Sequence, residues 1–134
     1  MRPLEFRWIE NCADSRGDSY YIPSEAIDFV GAIDEIHVAT IVPGAIRGNH
    51  YHTGRRECIF LIFSDSWRLA WIPLGAKDIA TQDFEGRGAV LIQVQPNVVH
   101  AVKNIGKNLI HLASFSNKRH DPRNPDTFRE VLLE

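Results

Sequence analysis

Apolar and polar residues alternate along much of the chain in short runs. An apolar side chain at every second position predicts a β-strand with one buried face. Proline, glycine and asparagine separate the runs and predict turns between them. The clearest strand candidates are Leu4–Ile9, Glu35–Val42, Trp67–Pro73, Ala89–Val94 and Leu109–Phe115. Many short strands with regular turns predict an all-β fold, either an antiparallel sandwich or a small β-barrel.

The run Cys58–Phe63 differs from the others because it is apolar at every position. Such a pattern is typical of a strand that is covered on both faces. The barrel interior would cover one face and a partner subunit the other. The sequence therefore predicts a homodimer.

Two short segments have helical signals. Pro23, Ser24 and Glu25 precede an apolar group, which predicts a capped helical turn over residues 24–30 that ends near Gly31. Near the C-terminus, Asn124 precedes a proline at a position suited to the start of a helix. We expect a short terminal helix over Pro125–Leu132.

Size and composition are ordinary for one globular domain, residues 1–134. The formal net charge of −2 gives no general attraction to nucleic acid or to an anionic membrane, so neither is an expected partner. The two cysteines, Cys12 and Cys58, do not suggest a disulfide framework. With no segment of signal-peptide pattern at the start, we expect a cytoplasmic protein.

The candidate chemistry centres on His50 and His52. Two residues apart on a predicted strand, they face the same side of the sheet. A turn at Thr53 and Gly54 can then bring the carboxylate of Glu57 back beside them. A later predicted strand carries His100, a further candidate for the same patch. Three imidazoles and one carboxylate suit zinc, iron, nickel or manganese.

The spacing of these residues resembles the first sequence motif of the cupin superfamily. The motif has a glycine, two histidines and a glutamate at fixed spacing. Here five residues separate Gly44 from His50, one residue separates His50 from His52, and four residues separate His52 from Glu57. The motif usually ends in glycine, where this sequence has Ser64.

The second cupin motif is matched more loosely. His100 and Asn104 fit it, whereas Gln95 and Asn97 occupy places where cupins usually have proline and glycine. The resemblance implies an antiparallel jelly-roll β-barrel with the site inside its mouth.

Within the cupins, Arg47–Tyr51 resembles the Arg-Gly-x-His-Tyr run of deoxysugar 3,5-epimerases, in which His50 falls on the catalytic base. His52 stands where those epimerases commonly carry glutamine, and His111 is the candidate for their acid. Sugar-nucleotide 3,4-ketoisomerases are similar in another way, through the paired histidines and the strand residues Leu112–Ser114.

A third group is similar over more of the chain: the zinc-binding cupin domain attached to reductases of capsular polysaccharide synthesis. The segments that carry this resemblance are Arg47–His52, Asn104–Gly106 and Asn124–Thr127. It implies action at a 4-keto sugar nucleotide. No reductase domain accompanies this sequence, so we expect the cupin to act alone or with a separate partner.

A 4-keto group acidifies the neighbouring C–H, and an imidazole can remove that proton while a metal or cationic donor stabilises the enolate. His50 cannot be metal ligand and base at the same moment, because both roles use one lone pair. If His50 is a ligand, the base is a metal-bound hydroxide or another residue such as His111 or Tyr51.

Arg47, Arg55 and Arg56 are candidates for binding a substrate diphosphate, since guanidinium groups pair well with phosphate oxygens. The leading hypothesis is an epimerase or ketoisomerase of a nucleotide-linked 4-keto-6-deoxysugar in surface polysaccharide biosynthesis. The alternatives are a metal-dependent cupin of the iron dioxygenase type and a non-catalytic module that binds metal or sugar.

Overall fold

The computed structural model describes residues 2–134 and contains two five-stranded antiparallel sheets that pack face to face. The strands are β1 (Leu4–Ile9), β2 (Glu35–Ile41), β3 (Ile46–Tyr51), β4 (Glu57–Phe63), β5 (Trp67–Pro73), β6 (Ala80–Phe84), β7 (Gly88–Val94), β8 (Val98–Asn104), β9 (Ile110–Ser116) and β10 (Phe128–Arg129), and one helix, α1, spans Ser24–Val30. The strand order is β1-β7-β4-β9-β2 in the first sheet and β10-β3-β8-β5-β6 in the second. The predicted all-β jelly roll is confirmed.

The main core lies between the two sheets. Leu61 and Ile92 reach it from the first sheet, and Leu69 and Val102 reach it from the second. These residues occupy alternating strand positions, as a pleated strand with one inward face requires. The alternation that predicted the strands therefore also predicted which side chains form the core.

The outward face of β4 is covered by the chain itself. Cys58 is fully buried and packs in a second cluster with Leu91 of β7, together with Ala26 and Val30 of α1. The Cys58 thiol lies 3.5 Å from the carbonyl oxygen of Ala26. The helix thus accounts for the doubly apolar pattern of β4 near Cys58, and that pattern is no longer an argument for a dimer.

Helix α1 has the predicted bounds but not the predicted cap. Pro23 occupies the N-cap position, and no side chain within residues 2–134 caps the helix there. The helix ends at Gly31, whose φ of 80° is readily adopted by glycine and whose N–H binds the carbonyl of Ile27.

The predicted C-terminal helix over Pro125–Leu132 is wrong. The segment runs extended, and its β10 pairs with β3. Hydrogen bonds to distant residues hold this conformation: Asp126 binds Thr53 and Gly54, and Asn49 binds the backbone near the end of the chain. These tertiary contacts outweigh the local helix signal.

Helix α1 has seven residues. Within residues 2–134, no helix has the length and apolar character needed to cross a bilayer. The cytoplasmic location stays a prediction.

Candidate metal centre

The structure brings the four predicted ligands together. His50 lies on β3, His52 directly follows that strand, Glu57 begins β4 and His100 lies on β8. One potential ligand atom from each lies within 4.8 Å of all the others. His50 is half-buried, whereas the other three are buried. The cluster therefore joins both sheets, because β4 belongs to the first and β3 and β8 to the second.

A distortion of β3 sets the positions of its histidines. The pairing of β3 with β8 shifts register between Gly48 and His50, and the intervening Asn49 adopts a φ of 54°. Gly48 has a φ of 95°, and a Cβ there would lie 2.6 Å from the carbonyl oxygen of His100. A side chain at residue 48 would push β3 away from β8. Bulges of this kind re-aim side chains next to functional sites.

Two of the histidine rings are oriented by backbone carbonyls. Nδ1 of His52 lies 2.6 Å from the carbonyl oxygen of Asp126, and Nδ1 of His100 lies 3.0 Å from that of Val98. A carbonyl oxygen only accepts, so each Nδ1 carries the hydrogen. In a neutral ring this leaves the lone pair on Nε2, the form in which imidazole binds a metal.

Within residues 2–134, three side-chain atoms of the cluster have no hydrogen-bond partner. Nε2 of His52, Nε2 of His100 and Oε1 of Glu57 are all buried, and none has a hydrogen-bond partner among the described residues. Oε1 of Glu57 lies 3.2 Å from His100 Nε2, and Oε2 lies 3.9 Å from His52 Nε2. Buried polar atoms without partners are rare because they are costly, so such a group calls for a bound species.

The electrostatics favour a donor set that is ready to bind a cation. Burial, together with the neighbouring imidazoles, lowers the pKa of His50 to about 4, and burial also lowers the pKa of His52. Burial alone would raise the pKa of Glu57, but His100 and the other two imidazoles outweigh it and lower that pKa to about 2. Near neutral pH, His50 and His52 are therefore uncharged and Glu57 is a carboxylate.

These residues fit a divalent transition metal. Imidazole nitrogens with one carboxylate oxygen are a donor set that zinc, iron, nickel and manganese accept. One potential ligand atom of each residue lies within 4.8 Å of the others, and backbone carbonyls orient the rings of His52 and His100 from their Nδ1 side. Such outer partners are characteristic of protein metal sites.

Two cavities meet at the cluster. The first, of about 330 Å³, is here called the Arg47 cavity, and its walls include the apolar side chains of Ile59 and Leu112. The second, of about 380 Å³, is called the Arg55 cavity and also contains His120. Both cavities share the residues His37, His50, Glu57 and Ser114. A larger surface concavity of about 710 Å³ follows β1 and includes none of the cluster residues.

The three predicted phosphate-binding arginines have different surroundings. Arg47 lines its cavity and donates from Nε to the carbonyl of Thr40 at 2.9 Å. Arg55 is buried with Nη1 3.5 Å from the carboxylate of Glu35, and its Nε has no hydrogen-bond partner within residues 2–134. Arg56 instead donates to the carbonyl of Val30 at the end of α1. Only Arg47 and Arg55 line the cavities beside the cluster.

The two predicted alternative bases lie away from the cluster. His111 is exposed on the outer face of β9, because its neighbours Ile110 and Leu112 point into the core. Tyr51 stacks on Phe128 with ring centroids 5.3 Å apart. Neither is among the residues that line the two cavities. Their predicted catalytic roles gain no support from the structure.

Three residues around the centre were not among the site residues that the sequence predicted. His37 and Ser114 lie opposite each other on β2 and β9 and line both cavities, and Asp126 contacts His52. The alternation along β9 could have predicted that Ser114 faces inward, because it lies two residues after Leu112 and four after Ile110, whose side chains point into the core. The hydrogen-bond partners of Asp126, His52 and Thr53, lie more than seventy residues away in the sequence.

The two sheets form a double-sheet jelly roll, which is the fold of the cupins, and three histidines and a glutamate cluster between the sheets. Residues 13–128 match the family described as "Polysaccharide biosynthesis C-terminal domain". The chain belongs to this family.

Comparisons with individual proteins agree with the fold. Over 94 residues the chain is 29% identical to UDP-2-acetamido-2,6-beta-L-arabino-hexul-4-ose reductase of Pseudomonas aeruginosa, an alignment that covers 66% of this chain and 24% of the reductase. The capsular polysaccharide assembling protein CapF of Staphylococcus aureus matches with a TM-score of 0.66 and 20% identity, over 92% of this chain and 34% of CapF. The chain thus spans about a quarter to a third of these relatives.

A third protein matches over most of its own length. It is a variant of the 3,4-ketoisomerase QdtA from Thermoanaerobacterium thermosaccharolyticum in complex with TDP-4-keto-6-deoxyglucose. The TM-score is 0.72 at 15% identity, covering 97% of this chain and 89% of QdtA. At 15% sequence identity, this match shows that the two chains share a fold.

Proposed function

We propose that this chain is a metal-dependent epimerase or ketoisomerase of a nucleotide-linked 4-keto-6-deoxysugar in surface polysaccharide biosynthesis. One observation carries the proposal: a buried donor set with unpartnered atoms forms the wall between two cavities. The family and the activities named for the relatives support the substrate class.

The donor set would hold the metal through His50, His52, Glu57 and His100. A divalent ion there supplies Lewis-acid stabilisation of the negative charge that develops on the sugar oxygen. Zinc is the preferred ion, because histidine nitrogen and carboxylate oxygen are among its usual ligands. Metal analysis of protein prepared without a polyhistidine tag would identify it.

With His50 assigned as a ligand, His37 is our candidate for proton transfer. Among the described residues, it is the imidazole outside the cluster that lines both cavities. Its ring nitrogen would accept the proton from the carbon next to the ketone. Ser114, directly opposite on β9, would orient the sugar through its hydroxyl.

The two cavities suit different parts of the substrate. Apolar side chains such as Ile59, Val102 and Leu112 line the Arg47 cavity and would accept the methyl group of a 6-deoxysugar. The diphosphate would pair with Arg47 or Arg55, which stand on opposite sides of the shared wall. Separate Arg47→Met and Arg55→Met variants would distinguish these positions, since the variant at the phosphate should raise KM more.

Solvent exchange tests the reaction directly. The protein would be incubated in deuterated water with a 4-keto-6-deoxysugar nucleotide. We expect deuterium at C3 or C5 if the sugar is epimerised, or at C4 of a 3-keto product. Absence of exchange with several such nucleotides, by metal-loaded protein, would refute the proposal.

The same preparation separates the alternative functions. Iron in the purified protein together with oxygen uptake would indicate the dioxygenase class. Nucleotide-sugar binding without exchange would indicate a binding module. His100→Ala serves as the matched control in each assay because it removes one buried donor of the cluster.

The predicted homodimer is better supported by β2 than by β4. Strand β2 is an edge of the first sheet, and its Ile36 and Val38 side chains are 67% and 73% exposed. An apolar edge strand is open to pairing with another chain. Light scattering should give the mass of a dimer for the wild-type protein and of a monomer for Val38→Lys, and a wild-type monomer would contradict the prediction.

A further inference from the structure

The C-terminal segment is fastened to the turn that follows His52. The carboxylate of Asp126 accepts hydrogen bonds from Thr53 N at 2.8 Å, Thr53 Oγ1 at 2.6 Å and Gly54 N at 2.9 Å. Asp126 is only 5% exposed, and Lys118 Nζ lies 3.5 Å from the same carboxylate. Three short hydrogen bonds from two consecutive residues fix the backbone just beyond His52.

The main chain of the same residue contacts the histidine ring. The carbonyl oxygen of Asp126 lies 2.6 Å from Nδ1 of His52, and the hydroxyl of Thr127 lies 3.4 Å from that nitrogen. Asp126 therefore holds His52 at two places, through the following turn and through the ring. Together these contacts determine where Nε2 points.

We propose that Asp126 is a positioning residue of the metal centre. Its carboxylate anchors the segment, so that its carbonyl keeps His52 protonated at Nδ1 and turns Nε2 toward the cluster. This inference rests on the proposed metal function of the four residues. Loss of such an outer partner typically weakens metal binding by about 10- to 100-fold.

A second anchor allows the carboxylate to be tested without releasing the whole segment. Asn49 is 6% exposed, its Oδ1 accepts from Leu132 N and Leu133 N, and its Nδ2 donates to Leu133 O. When the residue at 126 is changed, Asn49 still holds the end of the chain on β3. The effect of the variant is then confined to the region of Thr53 and His52.

Three variants separate geometry from charge. Asp126→Ala removes all three acceptor interactions, and Thr53→Val removes the hydroxyl donor alone. Lys118→Met removes the nearby positive charge but leaves the three hydrogen bonds in place. If positioning is the role, the Asp126 variant has the largest effect, the Thr53 variant a smaller one, and the Lys118 variant none.

The first measurement uses metal-free protein, so it does not depend on the metal function. Long-range ¹H–¹⁵N correlation spectra report which ring nitrogen of His52 carries the hydrogen. We expect the Nδ1–H form in wild type and in Lys118→Met, and a mixture of forms in Asp126→Ala. An unchanged Nδ1–H form in a folded Asp126→Ala protein would overturn the inference.

The second measurement is zinc affinity by competition with a chromophoric chelator, together with the visible spectrum of the cobalt-substituted protein. We expect Asp126→Ala to bind zinc about 10- to 100-fold more weakly and to give an altered cobalt spectrum. If Asp126→Ala does not fold, the His52 spectrum and the zinc affinity are measured on Thr53→Val instead. A wild-type spectrum together with wild-type zinc affinity in Thr53→Val would overturn the inference. If the wild-type protein shows the Nδ1–H form of His52 but does not bind zinc, the proposed metal function is refuted. That result leaves the role of Asp126 in orienting His52 intact.

Discussion

Oε1 of Glu57 and Nε2 of His100 lie 3.2 Å apart across the gap between the two sheets. Glu57 belongs to the first sheet and His100 to the second. A cation bound by both residues would cross-link the two layers of the barrel. Metal binding and fold stability are therefore expected to be coupled.

Metal binding should raise the melting temperature. Zinc at one hundred times its dissociation constant adds about 2.7 kcal/mol to the free energy of unfolding. For a domain of this size we expect a rise of roughly 10 °C over chelator-treated protein in differential scanning calorimetry. His100→Ala should show little metal-dependent rise, and a wild-type melting temperature indifferent to zinc would argue against the centre.

The metal-free protein should lose stability in mild acid. Because the pKa of His50 falls from 6.5 to about 4 on folding, the unfolded chain binds more protons than the folded chain between these two values. The contribution of His50 is fully present above pH 6.5 and is lost as the pH falls toward 4. The loss amounts to at most about 3 kcal/mol.

Urea denaturation of chelator-treated protein at several pH values checks this dependence. His50→Gln removes the titrating group at similar polarity, so its unfolding free energy should vary less with pH in this window. Identical pH profiles for wild type and variant would contradict the assigned shift.

Gly48→Ala should damage both stability and metal binding. The added Cβ would lie 2.6 Å from the carbonyl oxygen of His100 on a backbone with a φ of 95°. We expect a loss of roughly 2–4 kcal/mol in unfolding free energy, since both strain and a backbone clash are introduced. Chemical denaturation and zinc titration of the variant measure the two effects.

Gly75→Ala is the matched control for that variant. Gly75 has a similar φ of 85°, but a Cβ there would meet no atom of the described chain within 4 Å. Only the backbone strain remains, so we expect a loss of about 1 kcal/mol with unchanged zinc affinity. Equal damage from both substitutions would show that the contact between β3 and β8 does not matter.

Replacing each of two histidines tests which of them belongs to the centre. His50→Ala should abolish solvent exchange into the sugar, because His50 lies in the cluster and lines both cavities. His111→Ala should retain exchange, because its side chain is exposed on the far side of β9. The opposite result would restore the catalytic role that the sequence suggested for His111.

Local patterns predicted most strands and the four-residue cluster. Strand alternation and the spacing from Gly44 to Glu57 lie within short stretches of sequence, and so does the signal for α1. The catalytic role suggested for His111 stays a prediction. On β9, Ile110 and Leu112 point into the core, so the alternation places the side chain of His111 on the outer face.

The C-terminal segment could not be predicted in the same way. Its helical signal at Asn124 and Pro125 is local, whereas the interactions that keep it extended involve Asn49, Thr53 and Gly54. Contacts between residues more than seventy positions apart produce no periodic pattern of apolar and polar residues from which they could be predicted. The register shift beside Gly48 was missed for a related reason, since it depends on the approach of β8.

The burial of Cys58 bears on the metal chemistry of the neighbouring Glu57. Successive side chains on β4 point to opposite faces, so Glu57 faces the cluster while the thiol faces α1. Burial raises the pKa of that thiol to about 12. Within residues 2–134, the cluster therefore offers a metal nitrogen and oxygen ligands and no thiolate.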